Sequence, residues 1–304
     1  MTRVALFSHD ASAAHVTPPG HPEQVARFAA VTAGLKGLPL DRYAAPIADD
    51  ADILRCHPAA YLARVRAASP AAGWVQLDGD TYLSPGSVEA ALRAVGGACA
   101  AVDAVMDGPS SISRAFVAAR PPGHHAETAT AMGFCIFGTV AIAAKHALAR
   151  GVERVAIVDF DVHHGNGTQD LLWDEPGVRF FSSHQMPLYP GSGAATEVGA
   201  HRQMVNLPLR AGSDGAAMRA VYEARVLPAL ADYSAQLLLI SAGFDAHSDD
   251  PLAGLNWQAD DYDWLTRALC RVAGARVVSC LEGGYDLAAL QDCVAAHVGA
   301  LGDT

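Results

Sequence analysis

Charge is scarce in this chain. Only 17% of its 304 residues are Asp, Glu, Lys or Arg, against about a quarter in an average soluble domain. A disordered polymer needs the opposite balance, many charges and few core formers, so that class is excluded. Basic residues are the scarcer sign, with 21 Lys and Arg against 32 Asp and Glu and a net charge of −11. Such a field repels nucleic acid and attracts cations such as polyamines or basic peptides. The six cysteines, Cys56, Cys99, Cys135, Cys270, Cys280 and Cys293, show no C-x-x-C spacing. Reduced, buried thiols in a cytosolic protein are therefore expected rather than a disulfide framework. No apolar run approaches the ~18 residues of a membrane span, and the first ten residues turn polar too early for a signal peptide. A cytoplasmic location without membrane contact is expected. Repeats, low-complexity tracts and linkers are also missing, which predicts a single domain over residues 1–304.

Apolar residues are plentiful at 51%, enough for a sizeable core. Continuous apolar runs at 4–7, 115–118, 155–160, 178–181, 237–241 and 277–281 read as strands covered on both faces. Between them, residues 87–106, 139–149, 216–232, 260–272 and 287–301 carry apolar side chains at helical spacing. That alternation predicts an α/β fold with a mostly parallel sheet. Residues 10–23, with their histidines and prolines, read as a loop too polar for the core, and long ordered loops in such folds tend to carry function.

Five of the strands run into clusters of reactive residues: Arg120-Pro-Pro-Gly-His124-His125; Asp159-x-Asp161-x-His163-His164-Gly-Asn166-Gly-Thr-Gln169; Ser182-Ser183-His184 with Tyr189 beyond it; Ala242-Gly-Phe-Asp245-Ala-His247; and Glu282-Gly-Gly-Tyr285-Asp286. Ligands of open α/β sheets bind outside the carboxyl ends of the strands, so these loops should converge. Asp161 and His163, two apart past a strand, point the same way and can hold one cation, with Asp245 completing two carboxylates and an imidazole. Three protein ligands with an open fourth position suit a catalytic Zn²⁺, although the same set suits Fe²⁺. Taken alone, Asp-x-His more often caps a helix or ties a turn; the four other loops turn the balance.

His124 and His125 are adjacent and cannot comfortably share one ion, so acid–base work fits them better. Asp159 is the natural partner of His124 and Asn166 that of His125, and a charged and a neutral partner would set the two rings apart. Glu282-Gly-Gly-Tyr285 reads as a flexible loop that brings a phenol over the metal as an oxyanion donor. Phe134, next to Gly133, and Tyr189 flank glycines near the same end and can form an apolar slot for a methylene chain.

The combination R-P-P-G-H-H, D-x-D-x-H-H-G-N-G-T-Q, S-A-G-F-D-A-H and L-E-G-G-Y resembles the histone deacetylase superfamily, in particular its class II-like bacterial amidohydrolases. The likeness covers nearly the whole chain, since His21-Pro22-Glu23 with Arg27, residues 54–57 with Tyr61, and residues 80–87 also match family segments. It implies the arginase/deacetylase three-layer α/β sandwich with a central, mostly parallel sheet of about eight strands. It further implies zinc on Asp161, His163 and Asp245, with His125 as proton shuttle beside His124 and Tyr285 as oxyanion donor. Phe134, Tyr189 and the Gly133 backbone would wall an acyl-lysine channel, Asp80 would stand at its rim and Arg27 near its inner end. A structural potassium ion would sit at Asp159, Asp161, His163, Ser182 and Ser183. Asn166 in place of an aspartate matches the class II-like variant.

The expected activity is zinc-dependent hydrolysis of an N-acetyl or other N-acyl amide on a lysine side chain or related amine; an acetylpolyamine amidohydrolase is the alternative. An arginase-like two-metal site wants a carboxylate two residues after the ligand histidine, where Gly165 stands. A silent acyl-lysine binding module would have no need of His124, His125 and Tyr285. No heptad or exposed apolar helix marks an oligomer interface.

Overall fold

A computed structural model of the chain describes residues 3–108, 112–274 and 276–303. Its strands, in chain order, are β1 (Arg3–Ser8), β2 (Leu40–Ala44), β3 (Val75–Gln76), β4 (Tyr82–Leu83), β5 (Ile112–Ala118), β6 (Val155–Asp159), β7 (Val178–Gln185), β8 (Met204–Leu209), β9 (Leu237–Ala242) and β10 (Val277–Leu281). Eight of them form one sheet in the order β2-β1-β5-β10-β9-β6-β7-β8, and every pairing in it is parallel. β3 and β4 make a separate antiparallel pair.

Both faces of the sheet are covered. Side chains alternate along each strand, so Ala5, Phe7, Val155, Ile157, Leu237 and Leu239 join one buried cluster with the helices Ser87–Asp107 and Thr139–Ala149. Val4, Leu6, Ala156, Val158, Leu238 and Ile240 join the other, with the helices Ala26–Gly34, Ala259–Ala273 and Leu287–Asp303. This is the expected three-layer sandwich. Truncating a fully buried strand residue such as Ile157 to Ala would cost about 2–5 kcal/mol.

Two strands of the eight-stranded sheet lacked a legible run, each for a physical reason. β2 is a half-exposed edge strand reading Leu-Asp-Arg-Tyr-Ala, and the opposite edge, β8, carries Asn206 and Pro208. Proline is tolerated at an edge, where no ladder partner needs its missing N–H. The helix expected over 216–232 is split into Gly215–Val221, a wide turn at Tyr222–Val226, and Leu227–Tyr233. Pro228 follows that junction, in the first turn of the last helix where it has no N–H to donate, and Leu227 N closes the wide turn on Tyr222 O.

Residues 10–23 correct the expectation of a polar segment outside the core. They include a short helix, Ala11–Ala14, and Ser12, His15 and Glu23 are buried. Ion pairing is the reason: the Glu23 carboxylate meets Arg120 at 2.5 and 2.6 Å and Arg27 at 2.9 Å. All six cysteines are buried free thiols. No helix among the described residues is long and apolar enough to cross a membrane.

Candidate active site

The five strands that carry the reactive clusters are contiguous in the sheet, as β5-β10-β9-β6-β7. Their carboxyl ends therefore open on one crevice. At its floor the ligand atoms of Asp161, His163 and Asp245 lie within 4.8 Å of one another, and all three residues are buried. His163 Nδ1 is 3.1 Å from Asp161 Oδ1 and 3.2 Å from Asp245 Oδ2. Ligands of a tetrahedral Zn²⁺ at bond lengths near 2.1 Å stand about 3.4 Å apart, so these spacings fit such an ion.

The other lone pairs are spoken for. Asp161 accepts from the amides of His163 at 2.9 Å and Gly283 at 2.8 Å, and Asp245 Oδ1 accepts from Val162 N at 2.8 Å. Asp245 Oδ2 is buried without a hydrogen-bond partner among the described residues. A buried oxygen left in that condition is costly unless a cation takes it up. Burial pushes His163 down, but Asp161 and Asp245 outweigh it and bring the ring up to about 10. Asp245 is pushed up to about 7 by burial and by the charge of Asp161. The field that favours a proton on His163 Nδ1 favours a divalent cation at the same point still more.

Two glycines permit this closeness. A Cβ on Gly243 would stand 2.1 Å from Asp161 Oδ2, and one on Gly283 would stand 2.2 Å from Asp245 Oδ2 and 2.5 Å from Asp161 Oδ2. Gly283 of the Glu282–Tyr285 loop thus serves close approach, a role that the reading of this segment as a flexible loop left out. Glu282 is buried and accepts the amides of Gly123 at 2.6 Å and His124 at 3.1 Å. Asp250 accepts Tyr285 N at 2.7 Å.

Beside the ligand set, His124 Nδ1 is 3.0 Å from Asp159 Oδ2, and His125 Nδ1 is 2.6 Å from Asn166 Oδ1. The rings stand 4.0 Å apart, centroid to centroid. Their environments separate them. Burial depresses His124, but Asp161 and Asp159 raise it well above the usual histidine range. Burial and the charges of His124 and His163 hold His125 well below that range. The two neighbouring rings are thus pushed in opposite directions, His124 toward its charged form and His125 toward its neutral one. Burial, with the carboxylates of Asp245 and Asp161, overrides Arg27 and keeps the Tyr285 phenol protonated.

A cavity of about 250 Å³ rises from this floor between Asp80, His125, Gly133, Phe134, His163, Leu188, Tyr189, Leu252 and Tyr285. Tyr189 packs edge-on to His125 at 5.2 Å, and Phe134 edge-on to Tyr285 at 5.7 Å. Leu188 and Leu252 had no signature in the sequence, since a leucine in a loop reads as ordinary packing. Arg27 is not among the walls. It is buried behind them, donating to the carbonyls of Glu282 and Gly284 at 2.6 Å, with its guanidinium 5.0 Å from the Tyr285 ring centroid. Ser182 and Ser183 have partners already, His184 at 2.9 Å and the Tyr222 hydroxyl at 2.8 Å. Asp159 Oδ1 accepts Asp161 N at 3.1 Å.

Comparison with known proteins adds independent findings. Residues 21–301 match the family model described as histone deacetylase domain. The chain is 44% identical over 288 residues to an uncharacterized protein of Synechocystis, covering 92% of this chain and 93% of that one. It is 42% identical over 258 residues to a histone deacetylase-like amidohydrolase of Pseudomonas aeruginosa, covering 82% and 67% respectively. The crystal structure of an HDA15 HD domain superposes with a TM-score of 0.94 at 30% identity, over 99% of this chain and 88% of the other.

Proposed function

The chain belongs to the histone deacetylase family, and from that premise we propose that it is a zinc-dependent deacylase. It hydrolyses the amide of an N-acetyl or other N-acyl lysine side chain, or of a related acylated amine, releasing the carboxylic acid and the free amine. One observation carries the reading: two carboxylates and an imidazole meet a pair of histidines, each with its own partner on Nδ1, and a tyrosine at the floor of one narrow cavity.

Asp161, His163 and Asp245 would hold the ion. When bound, Zn²⁺ polarises an amide carbonyl and acidifies water. The chain's own groups do the rest. His125, neutral and in the cavity wall, takes the proton from the attacking water and returns it to the departing nitrogen as the C–N bond breaks. His124, biased toward its charged form by Asp161 and Asp159, stabilises the negative charge that develops on the carbonyl carbon's oxygens. Tyr285 donates its O–H to the former carbonyl oxygen. Phe134, Tyr189 and the Gly133 backbone enclose the methylene chain and exclude water from the reacting amide.

Asp80 lines the cavity and would accept from an N–H of the substrate. A carboxylate there suits the second ammonium of an acylated polyamine as well as a peptide amide, so the two amine classes are separated by rate. The test is a side-by-side kcat/KM panel on an acetyl-lysine peptide, acetylputrescine, acetylspermidine and longer acyl-lysines. A preference above about a hundredfold, some 2.7 kcal/mol of transition-state binding, assigns the class. No acid release from any substrate by the zinc-loaded chain would defeat the proposal.

A further inference from the structure

The hydrogen bond between His125 Nδ1 and Asn166 admits two arrangements with opposite consequences. If the Asn166 oxygen faces the ring, Nδ1 carries the hydrogen and Nε2 keeps a lone pair. If the amide is turned over, its NH₂ donates to Nδ1, and the hydrogen moves to Nε2. Only the first leaves His125 able to take a proton from water in the cavity. An asparagine by itself does not choose between them, because its two ends are nearly the same size and bond equally well.

The choice is made at the far end of the amide. Asn166 Nδ2 lies 2.8 Å from Glu127 Oε1 and 3.4 Å from Met132 Sδ, both acceptors. A turned amide would set its oxygen against the Glu127 carboxylate at that distance, acceptor against acceptor. The Glu127 backbone is fixed, since it pairs with Thr130, amide to carbonyl at 3.0 Å and in return at 3.4 Å. This pairing begins two residues after His125. Asn166 is buried and Glu127 half-buried, and the two border a small cavity with Gln169 and Asp170.

We propose that Glu127 is a positioning residue which, by holding the Asn166 amide in one orientation, fixes His125 as the Nδ1–H tautomer that can act as a general base. The inference rests on the deacylase reading for its catalytic consequence, but the tautomer itself is a property of the chain and is measured without substrate.

The test combines ring-nitrogen NMR with a crossed pair of substitutions. In ¹⁵N-labelled protein the His125 signals of the wild type show hydrogen on Nδ1. In Glu127→Gln, whose side chain can face Asn166 with either end, the two tautomers mix. On a zinc-loaded fluorogenic acetyl-lysine assay kcat falls about tenfold to a hundredfold while KM stays within about twofold. Asn166→Asp removes the ambiguity, because a carboxylate only accepts. It also sets two carboxylates face to face. In that background Glu127→Gln supplies a donor to Asp at 166, so the substitution that impairs the wild type raises activity there. A merely structural glutamate would lower activity in both backgrounds. Wild-type His125 signals and wild-type kcat in Glu127→Gln overturn the proposal, as does the same loss in both backgrounds. Far-ultraviolet circular dichroism and thermal midpoints confirm that each variant is folded before it is counted. Should no acyl amine be cleaved, the deacylase reading fails, and the NMR arm still decides whether Glu127 sets the tautomer.

Discussion

Substituting Gly283 by alanine perturbs the ligand set without touching a ligand. The added methyl carbon would stand 2.2 Å from Asp245 Oδ2, 2.5 Å from Asp161 Oδ2 and 2.9 Å from Asp245 Cγ. A carbon next to an oxygen settles near 3.3 Å or beyond, so both carboxylates must retreat, Asp245 by about 1 Å and Asp161 by somewhat less. Metal sites tolerate about 0.2 Å, and a misplacement of 1 Å near the reacting atoms costs about a hundredfold in rate. The backbone cannot move aside freely, because Gly283 N donates to Asp161 Oδ2 at 2.8 Å and Gly283 O accepts Phe244 N at 3.0 Å. Gly283→Ala should therefore lower zinc affinity by at least about a hundredfold, read by competition with a chromophoric chelator. Because the clash is local, the thermal midpoint of the metal-free protein should move little by comparison. Zinc affinity and acetate release like those of the wild type would refute the placement of both carboxylates.

Tyr285→Phe deletes one donor and leaves the ring packed on Phe134; kcat on an acetyl-lysine peptide should fall about 10²–10³-fold with zinc content unchanged, as steady-state kinetics and metal analysis would show. Asp80→Asn should raise KM about tenfold with little change in kcat, since the rim binds ground and transition state alike. Glu23→Gln leaves Arg120 and Arg27 buried without a counter-charge and should cost about 3–5 kcal/mol of stability at pH 7 in urea unfolding. Burial raises Glu23, but Arg120, His15 and Arg27 together hold it well below the ordinary glutamate range. Its folded value being depressed, the contribution is complete above the unfolded glutamate pKa and is lost as pH falls through the folded value. The gap between wild type and Glu23→Gln should thus narrow on acidification below about pH 4.5; a constant gap would contradict the ionised assignment.

The inner strands were legible because a strand covered on both faces must be apolar throughout, as Val155 to Val158 and Leu237 to Ile240 are. Edge strands β2 and β8 face water or carry proline and leave no such trace. The position of the site was legible because its reactive residues follow strand ends within a few positions, and a parallel sheet puts all those ends on one side. What stayed hidden depends on contacts far apart in the chain. Arg27 reaches the carbonyls of residues more than 250 positions away, and Glu23 joins Arg120 across 97. Glu127 has no signature beyond following the two histidines, and its partner Asn166 lies 39 residues on. Gly283 read as flexibility because a glycine's φ/ψ freedom is visible in sequence, whereas the atom that forbids its Cβ is not.

The central claim is that Asp161, His163 and Asp245 hold one divalent ion on which amide hydrolysis depends. Its most direct test is acetate release from an acetyl-lysine peptide by the chelator-stripped protein as zinc is added back. Activity should be absent without metal, rise linearly and saturate at one equivalent, and Asp245→Asn should abolish both the binding and the rise. Full turnover by the stripped protein, or saturation at one equivalent in Asp245→Asn, would contradict the account.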